Sequence, residues 1–548
     1  MSAECYPITV LPHVSSIFRD YLAMAESSEV AGVRRWFGAV PFGEAWLGGL
    51  RRDRGPVSSS SASLVADLLE RQSRNFGAGD AALVNVAKLR TGARAVVTGQ
   101  QVELLGGPML TLLKAATAVA RAREATRVTG IEHVPVFWLA TEDHDLEEVD
   151  QVSLLTKTGV ETLRAGLSRR SAAPVGTVEL GVGIEQVLER ATELMGWAPI
   201  CDVLRECYAP REGYVPTLGG AFARWMSAVF SEQGLIVMDA AGREFHQLGA
   251  STLRSAIERA EELEDALLRR NEELEAAGYH AQVKVAKEMS LLFLVSEGDG
   301  GADRQALRRT GDGGWRAGRQ SYTTSDLLRI LEEAPERLSP NALLRPVFQD
   351  TILPTAAYVG GPAEVAYFAQ SAVLYERILG RITPVLPRLT ATLLEPAVAA
   401  VMDRDEVGLP EAMTTAEALA QRLGARAMPI ELKRRLASAG NAMDAELGAV
   451  TEYLGGMDAS LGRSAEVSGS KMRYQMNRLR RMAATHELEK DASLRKHAAA
   501  ITLNVFPDGH PQERVVAGVW YLARYEGLIA RLVDEAAGMC GGHAVIRL

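Results

Sequence analysis

Two glycine-rich segments of the 548-residue sequence combine backbone freedom with polar side chains, and both contain Gly-Gly-Pro. Residues 99–108 read GQQVELLGGP, and residues 349–364 read QDTILPTAAYVGGPAE. Glycine lets a backbone approach a ligand closely, and the free N–H groups at the start of a helix attract anions. The first segment matches neither G-x-G-x-x-G nor the Walker loop. It favours a ligand-binding turn without a standard phosphate fingerprint; a plain βα turn is the alternative.

The polar and glycine residues of both segments are the candidates for substrate binding. They are Gly99, Gln100, Gln101, Gly106, Gly107, Thr111, Lys114, Gln349, Asp350, Tyr358, Gly360, Gly361 and Glu364. Two helix N-termini that converge on one cleft would suit a substrate carrying carboxylates. The alternative is two independent turns, but both segments follow strand candidates, which favours convergence.

A charged cluster, Glu142, Asp143, His144 and Asp145, follows the apolar run 134–140. Carboxylates around an imidazole can hold an amine, act as general acid or base, or bind a divalent ion. Adjacent side chains rarely all point at one ion, so we predict no metal site. We assign catalysis to Asp143, His144 and Asp145, and substrate binding to Glu142. The alternative is a helix N-cap, which explains one or two acids but not the histidine.

A turn-rich segment, residues 504–514, precedes a stretch with several aromatic residues near the C-terminus. An arginine beside aromatic rings can clamp a nucleotide. The nucleotide-binding candidates are Asn504, Gln512, Arg514, Trp520 and Tyr521. The alternative is that these aromatic side chains belong to the core.

The composition is that of a globular protein, with 47% apolar and 24% charged residues. A net charge of −9 provides no basic field, which argues against nucleic acid as a main partner. The four cysteines (5, 201, 207 and 540) are scattered, so we expect no disulfide framework. Neither a secretory signal nor a membrane-spanning run is evident, and we predict a reduced, cytoplasmic protein.

The elements that must position these residues alternate between strand and helix. Residues 95–98 predict a buried strand, 108–127 a helix and 134–140 a second buried strand, which is the unit of a doubly wound parallel sheet. Further strand candidates are 234–239, 290–295 and 344–348. Residues 298–318 read as a hairpin or a mobile loop.

The length predicts two or three structural units. We expect an α/β core over 1–390 with insertions at about 151–230 and 298–345. An α-helical arm should follow over 391–503, and a helical segment over 504–548 should return to the core. Apolar residues from Leu436 to Leu461 alternate by four and three, as in a coiled coil, with a second helical arm after Gly462. The two arms favour a dimerising antiparallel hairpin; an ordinary helical subdomain is the alternative.

Three of these motifs together, residues 99–108, 135–145 and 345–362, resemble the bacillithiol biosynthesis cysteine-adding enzymes. Residues 506–514 also look like that family. The resemblance extends over nearly the whole chain, whereas residues 151–230 and those after 514 are the least similar. It implies a Rossmann-like core with inserted connecting-peptide elements, and a coiled coil that forms a homodimer.

The resemblance further implies a ligase that joins L-cysteine to the amine of glucosaminyl-malate by an amide bond. The substrate pocket would be formed by the first three motifs, and ATP or ADP would bind separately, between the core and the coiled coil. Gly106-Gly107, Gly360-Gly361 and Lys114 could hold the two carboxylates of the substrate, and the acids beside His144 its ammonium.

Two other functional classes compete with this interpretation. A nucleotidylyltransferase acting on a sugar or an acid would use the same class of core, but the usual H-x-G-H turn is missing. A non-catalytic dimeric coiled-coil scaffold is the other, and it would have no use for polar clusters at three strand ends.

Overall fold

The computed structural model describes residues 4–24, 31–37, 45–48, 59–168, 173–298, 301–311 and 313–548. The chain divides into two compact units. The larger consists of Met1–Thr156, Glu161–Thr392 and Glu513–Ile546, and the smaller of Lys157–Val160, Leu393–Gln512 and Arg547–Leu548. No helix in the described ranges combines the length and the apolar character that crossing a membrane requires.

The strands and helices are numbered along the chain. The strands are β1 (Glu4–Tyr6), β2 (Arg94–Gln100), β3 (His133–Leu139), β4 (Val152–Leu155), β5 (Val160–Leu163), β6 (Ile236–Asp239), β7 (Met289–Gly298), β8 (Gly301–Arg309), β9 (Trp315–Ala317), β10 (Gln320–Tyr322), β11 (Leu338–Pro340), β12 (Thr355–Gly360), β13 (Val385–Pro387), β14 (Thr390–Leu394) and β15 (His543–Arg547). The helices up to residue 379 are α1 (Ser16–Ala23), α2 (Ala45–Gly48), α3 (Ser59–Asn75), α4 (Asp80–Arg90), α5 (Leu110–Thr129), α6 (Leu146–Val149), α7 (Gly183–Leu194), α8 (Ile200–Tyr208), α9 (Leu218–Val229), α10 (Arg243–Leu248), α11 (Ala250–Glu258), α12 (Ala260–Ala276), α13 (Thr324–Glu333), α14 (Arg345–Ile352) and α15 (Pro362–Leu379). The remaining helices are α16 (Pro396–Arg404), α17 (Leu409–Ala412), α18 (Ala416–Ala427), α19 (Ile430–Met457), α20 (Ala459–Lys490), α21 (Ala492–Val505), α22 (Gln512–Val515), α23 (Gly518–Leu522) and α24 (Leu528–Ala537).

A parallel sheet in the order β13-β12-β2-β3-β6 forms the core of the larger unit. Every residue of β3 is buried, which explains why its sequence is a continuous apolar run rather than an alternating one. One residue separates helix α15 from β12, and α5 follows β2 after a short 3-10 helix, Leu104–Gly106. The predicted strands at 95–98, 134–140 and 234–239 are confirmed, as is the helix predicted over 108–127.

The prediction of a strand at 344–348 is wrong, because these residues begin helix α14. Pro346 stands in the first turn of that helix, where a proline is tolerated and no N–H group is needed. The strand lies after it, at β12, whose six residues are all buried. A short apolar run does not by itself distinguish a buried strand from a buried helix.

The strand predicted at 290–295 exists as β7 but belongs to an antiparallel sheet in the order β10-β9-β8-β7-β11. Strands β7 and β8 form a hairpin, as one interpretation of residues 298–318 predicted. Within the predicted insertion at 151–230, the strand pair β4-β5 is followed by helices α7, α8 and α9.

Helices α19 and α20 of the smaller unit form an antiparallel hairpin, as predicted from the apolar spacing. The turn lies at Asp458, whose carboxylate accepts a hydrogen bond from the N–H of Ser460, and not after Gly462. A Cβ atom on Gly462 would lie 2.9 Å from the Cα of Gly455. The small residues therefore allow the two helices to approach closely next to the turn.

The two ends of the chain meet in a third sheet, β1-β15-β14. A disulfide joins Cys5 to Cys540, with the Cα atoms 6.2 Å apart, whereas no disulfide was expected from the scattered cysteines. Sequence spacing did not reveal the pair because its cysteines are 535 residues apart. The segment 504–548, predicted as helical, also ends in a strand, β15.

Candidate functional site

A cavity of about 350 Å³ lies at the carboxyl ends of β2, β3 and β12, the edge at which open parallel sheets bind ligands. It is lined by Gly99, Gln100, Gln101, Leu110, Lys114, Trp138, Ala140, Asp143, Arg345, Tyr358, Gly361, Pro362, Ala363, Glu364, Tyr367, Arg388 and Arg514. Strand β2 lies between β12 and β3. Since neighbouring strands are ~4.8 Å apart, the ends of β3 and β12 face the ligand space from positions ~10 Å apart.

The ion pair between Lys114 and Glu364 forms one wall of this cavity. Lys114 Nζ lies 2.5 Å from Glu364 Oε2 and donates to the carbonyl of Gly99 and to Gln100 Oε1, each at 2.8 Å. Glu364 also accepts from the Tyr358 hydroxyl at 2.6 Å. Burial by itself would raise the pKa of Glu364, but Lys114, the N–H of Gly361 and the Tyr358 hydroxyl together outweigh it, and the pKa lies below its ordinary value. Burial lowers the pKa of Lys114.

Glu364 also occupies the helix N-terminus that was predicted to bind a substrate carboxylate. The N–H of Gly361 donates to Glu364 Oε2 at 2.7 Å. This is the N-cap interaction of α15, made with the carboxylate of its own first turn. Gly361 lines the cavity, but its N–H group already has an anionic partner.

The first Gly-Gly pair does not line the cavity. The N–H of Gly106 donates to the hydroxyl of Tyr208 at 3.1 Å, and the N–H of Gly107 to the carbonyl of Leu104 at 3.1 Å. Both glycines have positive φ, and a Cβ on Gly107 would lie 1.8 Å from Glu103 Oε2. These glycines therefore permit a tight turn around a buried glutamate, and both of their N–H groups have partners within the protein. Thr111 is buried and lies 3.5 Å from the same Glu103 oxygen.

Three arginines contribute positive charge to the cavity, and none of them was among the predicted substrate-binding residues. Arg388 is neutralised by Glu513, with nitrogen–oxygen distances of 2.6 and 3.0 Å. Arg345 donates to the hydroxyls of Tyr358 and Tyr367, at 3.2 and 3.4 Å. Within the described part of the chain, neither Arg345 nor Arg514 forms an ion pair with a carboxylate.

Arg514, predicted to bind a nucleotide, thus lies on the cavity that contains the predicted substrate residues. Partial burial and the charge of Arg388 lower the pKa of Arg514, so an anion beside it would relieve a repulsion. Little in the sequence indicated that these arginines line the cavity. Arg345 stands in one of the recognised motifs, and Arg388 follows a strand of only three residues.

Gln349 and Asp350, predicted to bind substrate, are buried behind Arg345. Gln349 Oε1 accepts from Arg345 Nη1 at 3.2 Å, and Gln349 Nε2 donates to Asp350 Oδ1 at 3.0 Å. Asp350 also accepts from the hydroxyl of Thr383 at 2.5 Å. The two residues do not line the cavity; they fix the position of the guanidinium that does.

Asp143 is the member of the acidic cluster that reaches the cavity. Its Oδ2 accepts from Gln101 Nε2 at 2.6 Å, and its Oδ1 accepts from the N–H of His144 at 2.7 Å. The imidazole Nδ1 of His144 lies 3.5 Å from the same carboxylate, an ion pair only when the ring is protonated. Gln101, a predicted substrate residue, therefore lies beside the ligand space and orients an acid there.

The other members of the cluster do not line this cavity, although His144 remains in contact with Asp143. His144 lies 3.3 Å from Arg304 and lines a different cavity together with Asp145. Asp145 caps α6, as the N-cap alternative predicted. Glu142 lies 3.2 Å from His246 Nε2. No group of three or more potential metal-binding side chains occurs among the described residues.

The remaining nucleotide candidates have structural contacts of their own. In the smaller unit, the side chain of Gln512 both donates to and accepts from the backbone of Leu393, at 2.8 Å each, and Asn504 donates to a carbonyl of its own helix. In the larger unit, Tyr521 is fully buried, and Trp520 is buried under the guanidinium of Arg524. The core alternative therefore describes both aromatic residues.

The fold and the cavity define an α/β protein with a Rossmann-like core, joined to a helical coiled coil. The family model "Bacillithiol biosynthesis BshC, N-terminal Rossmann-like domain" matches residues 1–389. The model "Bacillithiol biosynthesis BshC, C-terminal coiled-coil domain" matches residues 391–548. The chain therefore belongs to the bacillithiol biosynthesis BshC family, as the motifs indicated.

Three curated relatives carry the name "Putative cysteine ligase BshC". The protein of Koribacter versatilis (strain Ellin345) is 39% identical over 553 residues, which cover 100% of both chains. That of Solibacter usitatus (strain Ellin6076) is 35% identical, over 83% of this chain and 84% of the relative. That of Chlorobaculum tepidum is 30% identical, over 88% and 87%.

Proposed function

We propose that this protein is a cytoplasmic ligase of bacillithiol synthesis that joins L-cysteine to the amine of glucosaminyl-malate by an amide bond. The observation that carries the proposal is the charge of the cavity. Lys114 is paired with Glu364 and Arg388 with Glu513. Among the described residues that line the cavity, the charges left for a ligand are two guanidiniums, Arg345 and Arg514, and one carboxylate, Asp143.

These charges complement glucosaminyl-malate, which has two carboxylates and one ammonium. Guanidiniums bind carboxylates with two parallel hydrogen bonds, which suits the malate end of the substrate to Arg345 and Arg514. Asp143 then receives the ammonium near the end of β3, across β2 from Tyr358. Gln100 and Tyr367 supply neutral polar groups for the sugar hydroxyls.

The amine must lose a proton before it attacks the cysteine carboxyl, and a carboxylate within hydrogen-bond distance can accept it. In this proposal Asp143 is that base, and Gln101 holds its second oxygen. The cysteine carboxyl also has to be activated, so that one of its oxygens leaves when the amide bond forms, and ATP is the usual reagent for this. We therefore include ATP or ADP among the ligands of the protein, without assigning a step to it.

The hairpin of α19 and α20 supports the homodimer that belongs to this proposal. Exposed apolar side chains occur along both helices, at Val450, Tyr453, Met457, Leu461, Val467, Met472, Tyr474, Leu479 and Met482. Tyr453 is 74% exposed and Met457 63%. Burial of such a set against a second copy would stabilise a dimer by the hydrophobic effect.

The proposal is tested by incubating the purified protein with glucosaminyl-malate, L-cysteine and ATP and measuring the thiol product by mass spectrometry. Product should form in the complete mixture and not when either substrate is omitted. Arg514→Gln should raise the KM for glucosaminyl-malate about 10–100-fold, because a charged hydrogen bond contributes ~1.5–3 kcal/mol. The control Arg319→Gln, an exposed arginine away from the cavity, should not. A folded dimer that forms no product with ATP or ADP would overturn the proposal, and pyrophosphate release without cysteine would favour a nucleotidylyltransferase.

A further inference from the structure

A second cavity, of about 460 Å³, lies on the larger unit at the opposite edge of the parallel sheet. Its walls come from α4, from the second half of α5, from the start of β3 and from the turn before β6. Both strands begin at this edge, whereas the candidate active cavity lies where strands end. The groove, as we call this second cavity, is therefore separate from the site of the proposed ligation.

The groove has an excess of positive charge in a chain whose net charge is −9. Lys88, Arg123 and Arg127 line it, together with one acid, Glu132, which lies 2.9 Å from Lys88. Arg123 donates to the neutral amide oxygen of Gln233 at 2.7 Å. Among the residues that the structure describes, neither Arg123 nor Arg127 has a carboxylate partner. Two exposed guanidiniums thus line the groove, and no carboxylate in the described part of the chain pairs with either.

The simplest structural role for these arginines is a favourable interaction with the helix dipole, because cations are favoured in the last turn of a helix. It accounts for Arg127, which lies in the last turn of α5. It does not account for Arg123, which lies six residues before the end of the helix, or for the cavity between them and α4.

We propose that the groove is a second binding site, for a small multivalent anion with phosphate or carboxylate groups. Arg123 and Arg127 would bind its charged groups, with Lys88 as a third cation once it turns from Glu132. The two arginines are four residues apart in sequence, which makes them neighbours on one face of α5, ~6 Å apart along the helix axis. That spacing matches two adjacent phosphates or carboxylates of one ligand better than a single monovalent ion.

Isothermal titration of the full-length protein with pyrophosphate, and separately with citrate, distinguishes the two ligand chemistries. Arg123→Gln/Arg127→Gln should weaken binding at least tenfold, and higher ionic strength should weaken the binding of the unaltered protein. Both arginines are exposed, so the variant should keep the melting temperature, which is measured alongside. Arg319→Gln is the matched control.

Arg514→Gln separates this site from the candidate active cavity and should leave binding in the groove unchanged. Equal binding by the unaltered protein and the double variant, or loss of all binding in Arg514→Gln, would overturn the proposal. Since the titration uses the protein alone with no ligation substrate, its outcome is independent of the ligase activity.

Discussion

The ammonium of Lys114 lies 2.5 Å from the carboxylate of Glu364 and joins the N-terminal parts of two helices, α5 and α15. These helices follow neighbouring strands, β2 and β12, of the parallel sheet. Because Lys114 also donates to the carbonyl of Gly99, the pair holds the end of β2 in place. Glu364 also accepts a hydrogen bond from the N–H of Gly361 in the second Gly-Gly-Pro turn, so among the described cavity residues the positive charges that remain for an anionic ligand are those of Arg345 and Arg514.

Glu364→Gln should lower the free energy of unfolding by about 3–5 kcal/mol, because it leaves the buried ammonium of Lys114 without its counter-charge. The double variant Lys114→Met/Glu364→Gln should lower the free energy of unfolding by less than the sum of the two single changes. Urea denaturation measures each. The control is Glu258→Gln in the exposed pair with Arg254, which should cost less than about 1 kcal/mol. Equal costs at Glu364 and Glu258 would contradict a stabilising role for the buried pair.

Asp143→Asn should reduce kcat of the proposed ligation about 10²–10⁴-fold, the range expected for loss of a general base. His144→Ala should keep kcat within about threefold, because the imidazole lines another cavity and contacts Arg304. The rate of thiol-product formation under saturating substrates measures both. The opposite order, with His144 essential and Asp143 dispensable, would reject this assignment.

Glu103 makes stability depend on pH. Burial raises its pKa to about 7, whereas the unfolded chain titrates near the ordinary glutamate value of ~4.3. Between these values the folded state binds more protons than the unfolded state, so stability falls as pH rises from about 4.3 to 7 and levels off above. Thermal melts of Glu103→Gln across this range should show a shallower fall than the unaltered protein. Glu147→Gln, an exposed acid, should reproduce the unaltered curve; if Glu103→Gln does so too, the raised pKa is absent.

The disulfide between Cys5 and Cys540 should stabilise the paired ends of the chain. Cross-linking restricts the unfolded chain, an effect of ~2–5 kcal/mol in typical proteins. Cys5→Ser/Cys540→Ser, or a reducing agent, should therefore lower the melting temperature. Thiol titration is the independent check: the denatured, unreduced protein should expose two thiols, Cys201 and Cys207, which are buried in the fold. Four reactive thiols in that sample would exclude the disulfide.

Strands of the parallel sheet could be predicted where a run of apolar residues is by itself enough to specify a buried strand. The apolar runs at β2 and β3 are long enough to specify buried parallel strands, and the helix between them follows from its own spacing. The apolar run at 344–348 was ambiguous because helix and strand bury such a stretch equally well. The packing of α14 against α11 and α15 resolves it, and that packing depends on residues distant in sequence.

The sequence by itself determined the class of fold, the strand ends at which a site could form, and the family to which the chain belongs. Only the tertiary structure decided which side chains meet. Asp143 and His144 are adjacent in sequence, yet the turn after β3 directs them to different cavities. Arg345, Arg388 and Arg514 come from separate segments and converge on one cavity. Local pattern carries no information about such convergence, because the distance between segments is set by how the sheet and its helices pack.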